Sequence, residues 1–255
     1  MRLAVLSDIH GNLAALEAAL ADLESQGGAE QVWVLGDLAA FGPRPAECIR
    51  RVFALQEQLG KENCHIIGGN TDRYLVHGTR PREQAAENEE GFAQLAQKWQ
   101  QRDTNFNWTL GRLAFEDYEN LKKILGRETG LNVPGYGYVI GYHGTPGDDE
   151  GSLLTPDSAE EQALDALLDR EGRLGIGGHI HMQMDRDLGR WRAVNVGSVG
   201  MPFDMPGVAQ WGLFSFEDGS VQVNLRRVTY DTNAVMADLE AVGHPAPGFI
   251  GRFLK

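Results

Sequence analysis

Side chains that can bind metal ions recur at the ends of apolar stretches in this chain. The first two are Asp8 and His10, which follow the apolar run 3–6 with one residue between them. Alternate residues of an extended chain point to the same side, and functional groups of open α/β sheets lie at the carboxyl ends of the strands. A carboxylate and an imidazole placed in this way could form one corner of a transition-metal site.

Four later segments end in the same kinds of residue. The groups at the predicted strand ends are Asp8, His10, Asp37, Asn70, His143, His179 and His181. A single histidine of this set would more often be structural, but five segments that end alike favour one shared site. Carboxylates, imidazoles and an amide carbonyl together favour Mn²⁺, Fe or Zn²⁺ over Mg²⁺ alone.

The elements that must position these groups form an α/β pattern. Apolar runs near residues 3–6, 31–35 and 64–67 predict three strands, and helical patterns separate them. Such units predict right-handed crossovers, a parallel sheet and one common edge for the three strand ends. Pro45 is well placed near the start of the helix that follows the second strand.

The later part of the chain changes character. An amphipathic helix is predicted over Asp157–Arg170, with Asp157 as its N-cap. The stretches Trp191–Val196, Gln210–Phe216 and Val221–Val228 predict strands of a second sheet packed on the first.

Residues from about 73 to 132 predict an α-helical insertion into a single domain that spans residues 1–255. This segment is rich in Glu, Gln, Arg and Asn, and its apolar residues have helical spacing at Phe92, Leu95, Ala96 and Trp99. The insertion either covers the strand edge as a cap or packs beside it as a plain helix pair. We expect its aromatic residues to lie in the core.

Composition limits the classes of partner. A net charge of −13 over 255 residues argues against broad contact with nucleic-acid backbones. It leaves room for a small phosphorylated substrate, because bound cations can reverse the local charge. No apolar run has the length of a membrane span.

The compartment is predicted from the N-terminus and the cysteines. A strand follows Met1 and Arg2 directly, with no signal-peptide pattern. The two cysteines, Cys48 and Cys64, do not suggest a disulfide framework. We therefore expect a cytoplasmic protein, and the sequence leaves its oligomeric state open.

With these motifs, the chain resembles the calcineurin-like metallophosphoesterases. The matching segments, in order, are Asp8-x-His10, Gly36-Asp37, Gly69-Asn70-x-Asp72, His143-Gly144 and Gly178-His179-x-His181. Gly42-Pro43 and the segment Gly197-Ser198-Val199-Gly200 look like the compact bacterial and archaeal phosphodiesterase branch of that family. The resemblance implies an α/β fold with four layers in the order α/β/β/α.

The resemblance also implies a dinuclear metal centre of Mn, Fe or Zn. One metal ion would take the ligands Asp8, His10, Asp37 and His181. The other would take Asp37, Asn70, His143 and His179. Asp37 would bridge the two ions, and a bridging hydroxide would attack phosphorus in line. Asp37, Asn70 and His143 are accordingly the expected catalytic residues.

One position departs from the pattern of many relatives. They carry His between the Asn and the Asp of the third motif, where this chain has Thr71, whose hydroxyl is a poor general acid. The Asp-Arg-Gly segment of phosphoprotein phosphatases is also missing after the second motif. Both departures argue against an efficient phosphoprotein phosphatase, and Thr71 favours substrates with good leaving groups.

Other candidate residues have two readings each. Arg44, Arg73 and Thr71 are candidates for substrate binding, the arginines as contacts to phosphate oxygens or as ordinary surface residues. Asp72 could orient a metal ligand or cap a helix. The loop 201–207 could shape a substrate wall or serve only as a connection.

The leading functional hypothesis is a metal-dependent phosphodiesterase acting on a small phosphorylated metabolite. A phosphomonoesterase or protein phosphatase, or a dinucleoside-polyphosphate hydrolase, is the alternative among enzymes. A metal-binding interaction module without turnover is the alternative from another class. Thr71 keeps the third hypothesis open, whereas the complete ligand set argues against it.

Overall fold

Two five-stranded sheets form the centre of the computed structural model, which describes residues 1–255. In spatial order, the strands of the first sheet are Ser220–Thr229 (β10), Val208–Glu217 (β9), Arg2–Leu6 (β1), Gln31–Val34 (β2) and Cys64–Ile66 (β3). The pairs β1–β2 and β2–β3 are parallel, as predicted. Their carboxyl ends therefore meet at one edge of this sheet.

β9 and β10 correct one prediction, because they extend the first sheet instead of joining a second one. β9 pairs antiparallel with β1 on one side and with β10 on the other. The remaining edge of β1 carries buried peptide groups that need hydrogen-bond partners, and β9 supplies them. The alternating sequence pattern indicates a strand but not the neighbour with which it pairs.

The second sheet is built from the middle of the chain. In spatial order, its strands are Thr129–Val133 (β4), Gly137–Gly141 (β5), Leu174–Gly177 (β6), Trp191–Val196 (β8) and Gln183–Leu188 (β7). The two strands at its edges, β4 and β7, were not predicted from the sequence. Only Met184 and Leu188 of β7 are buried, so the apolar signal of this edge strand is weak.

The eight helices surround the two sheets. They are Leu13–Ser25 (α1), Pro45–Leu59 (α2), Asn70–His77 (α3), Glu89–Leu110 (α4), Phe115–Ile124 (α5), Glu160–Asp165 (α6), Thr232–Ala241 (α7) and Pro247–Ile250 (α8). Pro45 stands in the first turn of α2, as predicted. None of these helices has both the length and the apolar character that a membrane span requires.

The apolar run of β1 follows from burial on both of its faces. Leu3 and Val5 pack in a cluster that contains residues of both sheets. Ala4 and Leu6 point to the opposite side and pack in a second cluster with residues of α1 and α2. A further cluster joins the outer face of the second sheet to α6 and its flanking residues. The order of layers is therefore α/β/β/α, which confirms the predicted fold class.

α6 is shorter than its sequence pattern predicted, and Asp157 does not cap it. The helix covers Glu160–Asp165, and its N-cap is Ala159. Just before it, Ser158 and Thr155 form a local turn in which the Ser158 N–H donates to Thr155 Oγ1 at 3.0 Å. Such side-chain bonds to nearby backbone compete with helix formation.

The insertion differs from prediction in its packing. The aromatic residues Phe92 and Trp99 of α4 are 65% and 50% exposed, so the expectation that they lie in the core is wrong. The buried residues of α4 lie in its C-terminal half, at Asn105, Phe106 and Thr109. The predicted segment 73–132 also begins inside α3 and ends in β4. Helical spacing identifies an apolar face, but it does not show what covers that face.

Asp22 joins α1 to the two antiparallel strands of the first sheet. Its carboxylate accepts bonds from Trp211 Nε1 at 3.1 Å and from Arg226 at 2.8 and 3.0 Å. Trp211 is completely buried, so its indole N–H has no access to water. The Asp22 carboxylate therefore accepts a hydrogen bond from a buried indole N–H that would otherwise have no acceptor.

We expect Asp22→Ala to lower the free energy of unfolding by about 2 kcal/mol, because it leaves the Trp211 N–H unsatisfied. Glu24→Ala on the exposed side of the same helix is the control and should change it by less than about 0.5 kcal/mol. Urea unfolding of the two variants and the parent measures both values. Equal effects of the two substitutions would show that the Asp22 contacts do not stabilise this layer.

Candidate metal centre

The loops after β1, β2 and β6 bring four of the predicted ligands into one buried cluster. Ligand atoms of Asp8, His10, Asp37 and His181 all lie within 4.8 Å of one another. All four residues are buried, and Asp8 is completely so. The structure thus brings together residues as distant in the chain as Asp8 and His181, which are 173 positions apart.

The other three predicted ligands lie directly beside this cluster. Asn70 Oδ1 is 3.0 Å from His143 Nε2 and 3.1 Å from His179 Nδ1. His143 Nε2 is in turn 3.5 Å from Asp37 Oδ2. Asp37 therefore adjoins both groups of side chains.

Backbone carbonyls determine the tautomers of three histidines in the site. A main-chain carbonyl oxygen lies 3.1 Å from Nδ1 of His10 and 2.6 Å from Nδ1 of both His143 and His181. A carbonyl can only accept a hydrogen bond, so Nδ1 carries the proton in each ring. In the neutral imidazole, Nε2 then presents its lone pair to the centre of the site. Histidines that bind metals are commonly held in this way, by a hydrogen bond from the ring nitrogen that does not bind the metal.

These lone pairs need a positive partner. The Nε2 atoms of His10 and His181 are only 3.0 Å apart, and two lone pairs at this distance repel each other. Asp8 Oδ1 is buried and accepts no hydrogen bond. Nitrogen and carboxylate donors that converge in this way fit a divalent transition ion.

The backbone is strained at the same residues. Seven non-glycine residues have a positive φ, which costs free energy and is often found at functional sites. Five of the seven are predicted ligands, namely Asp8, His10, Asp37, His179 and His181, with φ between 50° and 68°. A sixth, Phe41, follows the second strand and lies next to His10. The strain is therefore concentrated where the side chains converge.

The electrostatics of the cluster favour positive charge. Burial opposes ionisation of Asp8, but His181 and His143 outweigh it and hold the pKa of Asp8 well below its ordinary value. Burial likewise opposes protonation of His143, yet Asp37 and Asp8 raise the pKa of this histidine to about 10. Burial and the neighbouring His143 lower the pKa of His179 to about 4. Either a proton or a metal cation can supply the charge that the two carboxylates attract.

Two glycines allow the backbone to approach the carboxylates closely. A Cβ at Gly69 would collide with Asp37 Oδ1 and lie 2.7 Å from His143 Cε1. A Cβ at Gly178 would collide with Ser7 Oγ and lie 2.5 Å from Asp8 Oδ2. Any larger residue at either position would displace a predicted ligand.

Asp72 caps a helix and also bonds to the backbone of Asp37, one of the predicted ligands. Its carboxylate accepts a bond from the Gly69 N–H at 3.0 Å, at the start of α3. It also accepts bonds from the N–H groups of Asp37 and Leu38 at 2.8 and 3.0 Å. Asp72 thereby joins the loop after β2 to the loop after β3.

The three candidates for substrate binding lie in different places. Thr71 is buried and lines the same cavity as the metal-ligand cluster. Arg44 bonds instead to Asp238, at 2.7 Å from its Nε, and Arg73 bonds to Asp149, at 2.8 Å. Neither arginine lines that cavity, so its geometry gives no support to their expected role as phosphate contacts.

A cavity of about 440 Å³ opens over the cluster, and residues not predicted from the sequence line most of it. Its walls include Phe41, Phe106, Phe203 and Phe249, together with Lys98 and Arg102 of α4. The exposed loop residue Phe203 comes from the segment 201–207, which therefore does shape a wall. The other three phenylalanines share no motif, and only the convergence of distant segments could have identified them.

Asn195 and Ser198 are further residues that shape the site from outside it. Asn195 Nδ2 donates to the carbonyl of Gly178, next to His179. Ser198 Oγ donates to the carbonyl of Asp8 at 2.7 Å. Ser198 belongs to the family-like segment Gly197-Ser198-Val199-Gly200, whereas the only sequence signal of Asn195 is a polar residue within an apolar strand.

The family model of the calcineurin-like phosphoesterase superfamily domain matches residues 1–218 of this chain. The chain therefore belongs to the calcineurin-like phosphoesterase superfamily. Its members are hydrolases of phosphate esters that generally bind divalent metals, and the buried Asp/His cluster described above could hold a metal ion.

Similar proteins share the whole architecture. An uncharacterized protein of Methanocaldococcus jannaschii is 25% identical over 235 residues, which are 90% of this chain and 88% of that protein. A hypothetical protein of Pyrococcus horikoshii has a TM-score of 0.78 at 21% identity, over 99% of this chain and 97% of its own. A metallophosphoesterase of Sphaerobacter thermophilus has a TM-score of 0.68 at 24% identity, over 100% and 98%. The two structural likenesses concern the fold.

We expect Asp72→Asn to weaken metal binding, because the amide nitrogen cannot accept a bond and at least one of the three backbone N–H groups loses its acceptor. Losses of this kind raise the dissociation constant about 10- to 100-fold. Calorimetric titration with Mn²⁺ measures the change, and thermal unfolding without metal checks that the variant is folded. The exposed Asp157→Asn is the control. An unchanged affinity in Asp72→Asn would mean that the ligands hold their positions without this carboxylate.

Proposed function

We propose that this protein is a phosphodiesterase that binds two divalent metal ions and cleaves a small phosphorylated metabolite. The observation that carries the proposal is the position of Asp37 between two adjoining donor groups. Asp37 shares one cluster with Asp8, His10 and His181. Its Oδ2 also lies 3.5 Å from Nε2 of His143, which in turn contacts Asn70. A carboxylate in that position could bridge two cations.

The metals would supply the chemistry that the side chains lack. Two bound cations generate a nucleophile at neutral pH, polarise the phosphoryl oxygens and balance developing charge. Mn²⁺, Fe and Zn²⁺ all fit the mixture of imidazole and carboxylate donors. Asp8 and Asp37 would be the anionic ligands, and their lowered pKa values keep both ionised at neutral pH.

The protein's own residues position the reaction. Carbonyl acceptors hold the rings of His10, His143 and His181 in one orientation. The carboxylate of Asp72 holds the backbone of Asp37 by accepting a hydrogen bond from the Asp37 N–H. These contacts fix the donors before substrate arrives, so little reorganisation is needed during the reaction.

The composition of the cavity supports a diester over a monoester. A monoester carries two negative charges and one organic group, whereas a diester carries one charge and two organic groups. The cavity beside the metal ligands is walled by several phenylalanines, which suit a second organic group. Thr71 occupies the position from which a general acid would protonate a poor leaving group, and its hydroxyl is too weak an acid for that role.

An interaction module without turnover is less well supported. A protein that only bound a partner would not need backbone strain at its metal site, and substitutions that relieve the strain would not weaken that binding. Here the strain persists at Asp8, His10, Asp37, His179 and His181. Retaining it is expected where a reacting group must be held.

The first test compares an aryl phosphodiester with the matching aryl monoester at saturating Mn²⁺ and with chelator. We expect faster cleavage of the diester and loss of both activities with chelator, because the cations supply the nucleophile. Asp37→Asn, purified in the same way, is the blank for contaminating phosphatases. Faster cleavage of the monoester would assign the protein as a phosphomonoesterase. Bound metal without turnover of either ester would favour the interaction module.

A second test concerns Thr71. We expect Thr71→His to speed cleavage of esters with poor alkyl leaving groups by about 100-fold, which is the lower end of general acid catalysis. Rates on 4-nitrophenyl esters should stay nearly unchanged, because that leaving group needs no proton. Thr71→Val, which keeps the shape and removes the hydroxyl, is the control. No gain on alkyl esters would mean that an acid at position 71 is not what limits the reaction.

A further inference from the structure

The cavity over the metal centre has a second end, which the proposed function does not use. One end consists of metal-ligand residues such as His10 and Asp37. The other end consists of α4 residues, among them Lys98 and Arg102. The cavity thus extends from the metal centre to a pair of cationic side chains on the insertion.

An aromatic band separates the two ends. The ring of Phe41 lies 5.5 Å from that of His10 and 5.4 Å from that of Phe106. Phe203 also lines the cavity, and its ring lies 4.4 Å from that of His181. A ligand that reached from the metals to α4 would therefore pass an apolar section that suits an aromatic group.

The two cations share one face of α4 and one carboxylate. Lys98 and Arg102 are four residues apart, so they lie on the same side of the helix. Glu83, from the segment before α4, is 2.6 Å from Lys98 Nζ and also contacts Arg102. Two cations and one carboxylate leave one positive charge at this end of the cavity, in a protein whose net charge is −13.

Arg102 keeps donors for a ligand. Only its Nη1 bonds to Glu83, and the rest of the guanidinium fork has no protein acceptor. By contrast, Arg44 and Arg73 each use two or more nitrogens on carboxylates outside the cavity. Lys98 and Arg102 are the lysine and the arginine that line the cavity containing His10, Asp37 and Asn70.

We propose that Lys98 and Arg102 form a second anion-binding subsite, and that the substrate is a phosphate diester with an aromatic middle section and a further phosphoryl group. The reacting phosphate would lie at the metal ligands, the aromatic section against Phe41, and the far phosphoryl group at Arg102. A guanidinium fork and an ammonium are well suited to phosphoryl oxygens. This assignment rests on the proposed phosphodiesterase function.

Glu83 sets the strength of the subsite. Burial opposes its ionisation, but Lys98 and Arg102 outweigh this and lower its pKa, so it competes with a bound anion at neutral pH. A phosphoryl dianion carries more charge than this single carboxylate. Glu83→Gln removes the competitor and should strengthen binding of the charged end.

The test uses two diesters that share a 4-nitrophenyl leaving group and differ in the retained arm. One arm is 2-phenylethyl, and the other is 2-(4-phosphonophenyl)ethyl. With the metal-loaded protein we expect KM to be about tenfold lower for the phosphonate arm, as for charge-assisted hydrogen bonds. In the variant Lys98→Gln/Arg102→Gln, KM for the diester with the phosphonate arm should rise to that for the diester with the 2-phenylethyl arm, so that the preference is lost.

The matched control removes two charges elsewhere on the insertion. Lys122→Gln/Lys123→Gln lies on the exposed side of α5 and should leave the preference for the phosphonate arm intact. Glu83→Gln should increase that preference. A preference that is missing in the parent, or that survives in Lys98→Gln/Arg102→Gln, would overturn the subsite.

A binding measurement separates failure of the subsite from failure of the proposed function. With chelator present, ligand-observed NMR follows 4-(2-hydroxyethyl)phenylphosphonate, which is the charged arm alone. We expect weak binding that Lys98→Gln/Arg102→Gln abolishes and the α5 control retains. If the diesters are not cleaved but this pattern holds, the phosphodiesterase proposal fails and the anion subsite stands. Absence of binding to the parent would refute the subsite whatever the turnover.

Discussion

Electron-rich atoms crowded into one buried space are the constraint on which the rest of this structure depends. Asp8 and Asp37 are buried carboxylates, and the lone pairs of His10 and His181 meet at 3.0 Å. Such an arrangement is unfavourable in a folded chain unless positive charge enters it. A polypeptide that only had to fold would separate these groups. Here the backbone holds them together, and either a proton on His143 or a metal cation can supply the positive charge.

The main chain and the residues that contact it hold the carboxylates and imidazoles close together. Positive φ angles at the ligands turn their side chains inward, and glycines at 69 and 178 leave space for the carboxylates. Asp72 satisfies three backbone N–H groups from two loops. The parallel strands of the first sheet deliver these loops to one edge, and packing of the second sheet brings His143, His179 and His181 to the same place. Strain at the site is thus held by a large, well-packed core.

The predicted ligands and part of the cavity wall come from different parts of the molecule. The ligands follow strand ends of the two sheets. Part of the wall comes from α4, between Lys98 and Phe106. A family with one metal centre could change substrates through such an insertion while the sheets remain the same, because fold alone does not determine what the site accepts.

The sequence by itself determined the strands β1 to β3 and the seven candidate ligands, whereas the four-layer class was implied by the family resemblance. The strands and the ligands depend on local signals, since apolar runs and the residues that end them are neighbours in the chain. Tertiary structure alone decided that β9 pairs with β1, that Phe92 and Trp99 are exposed, and that Arg44 and Arg73 face carboxylates outside the cavity. It also placed Lys98 and Arg102 opposite the metal ligands. Each of these depends on which distant segment packs against the residue, and no periodicity within the chain encodes that choice.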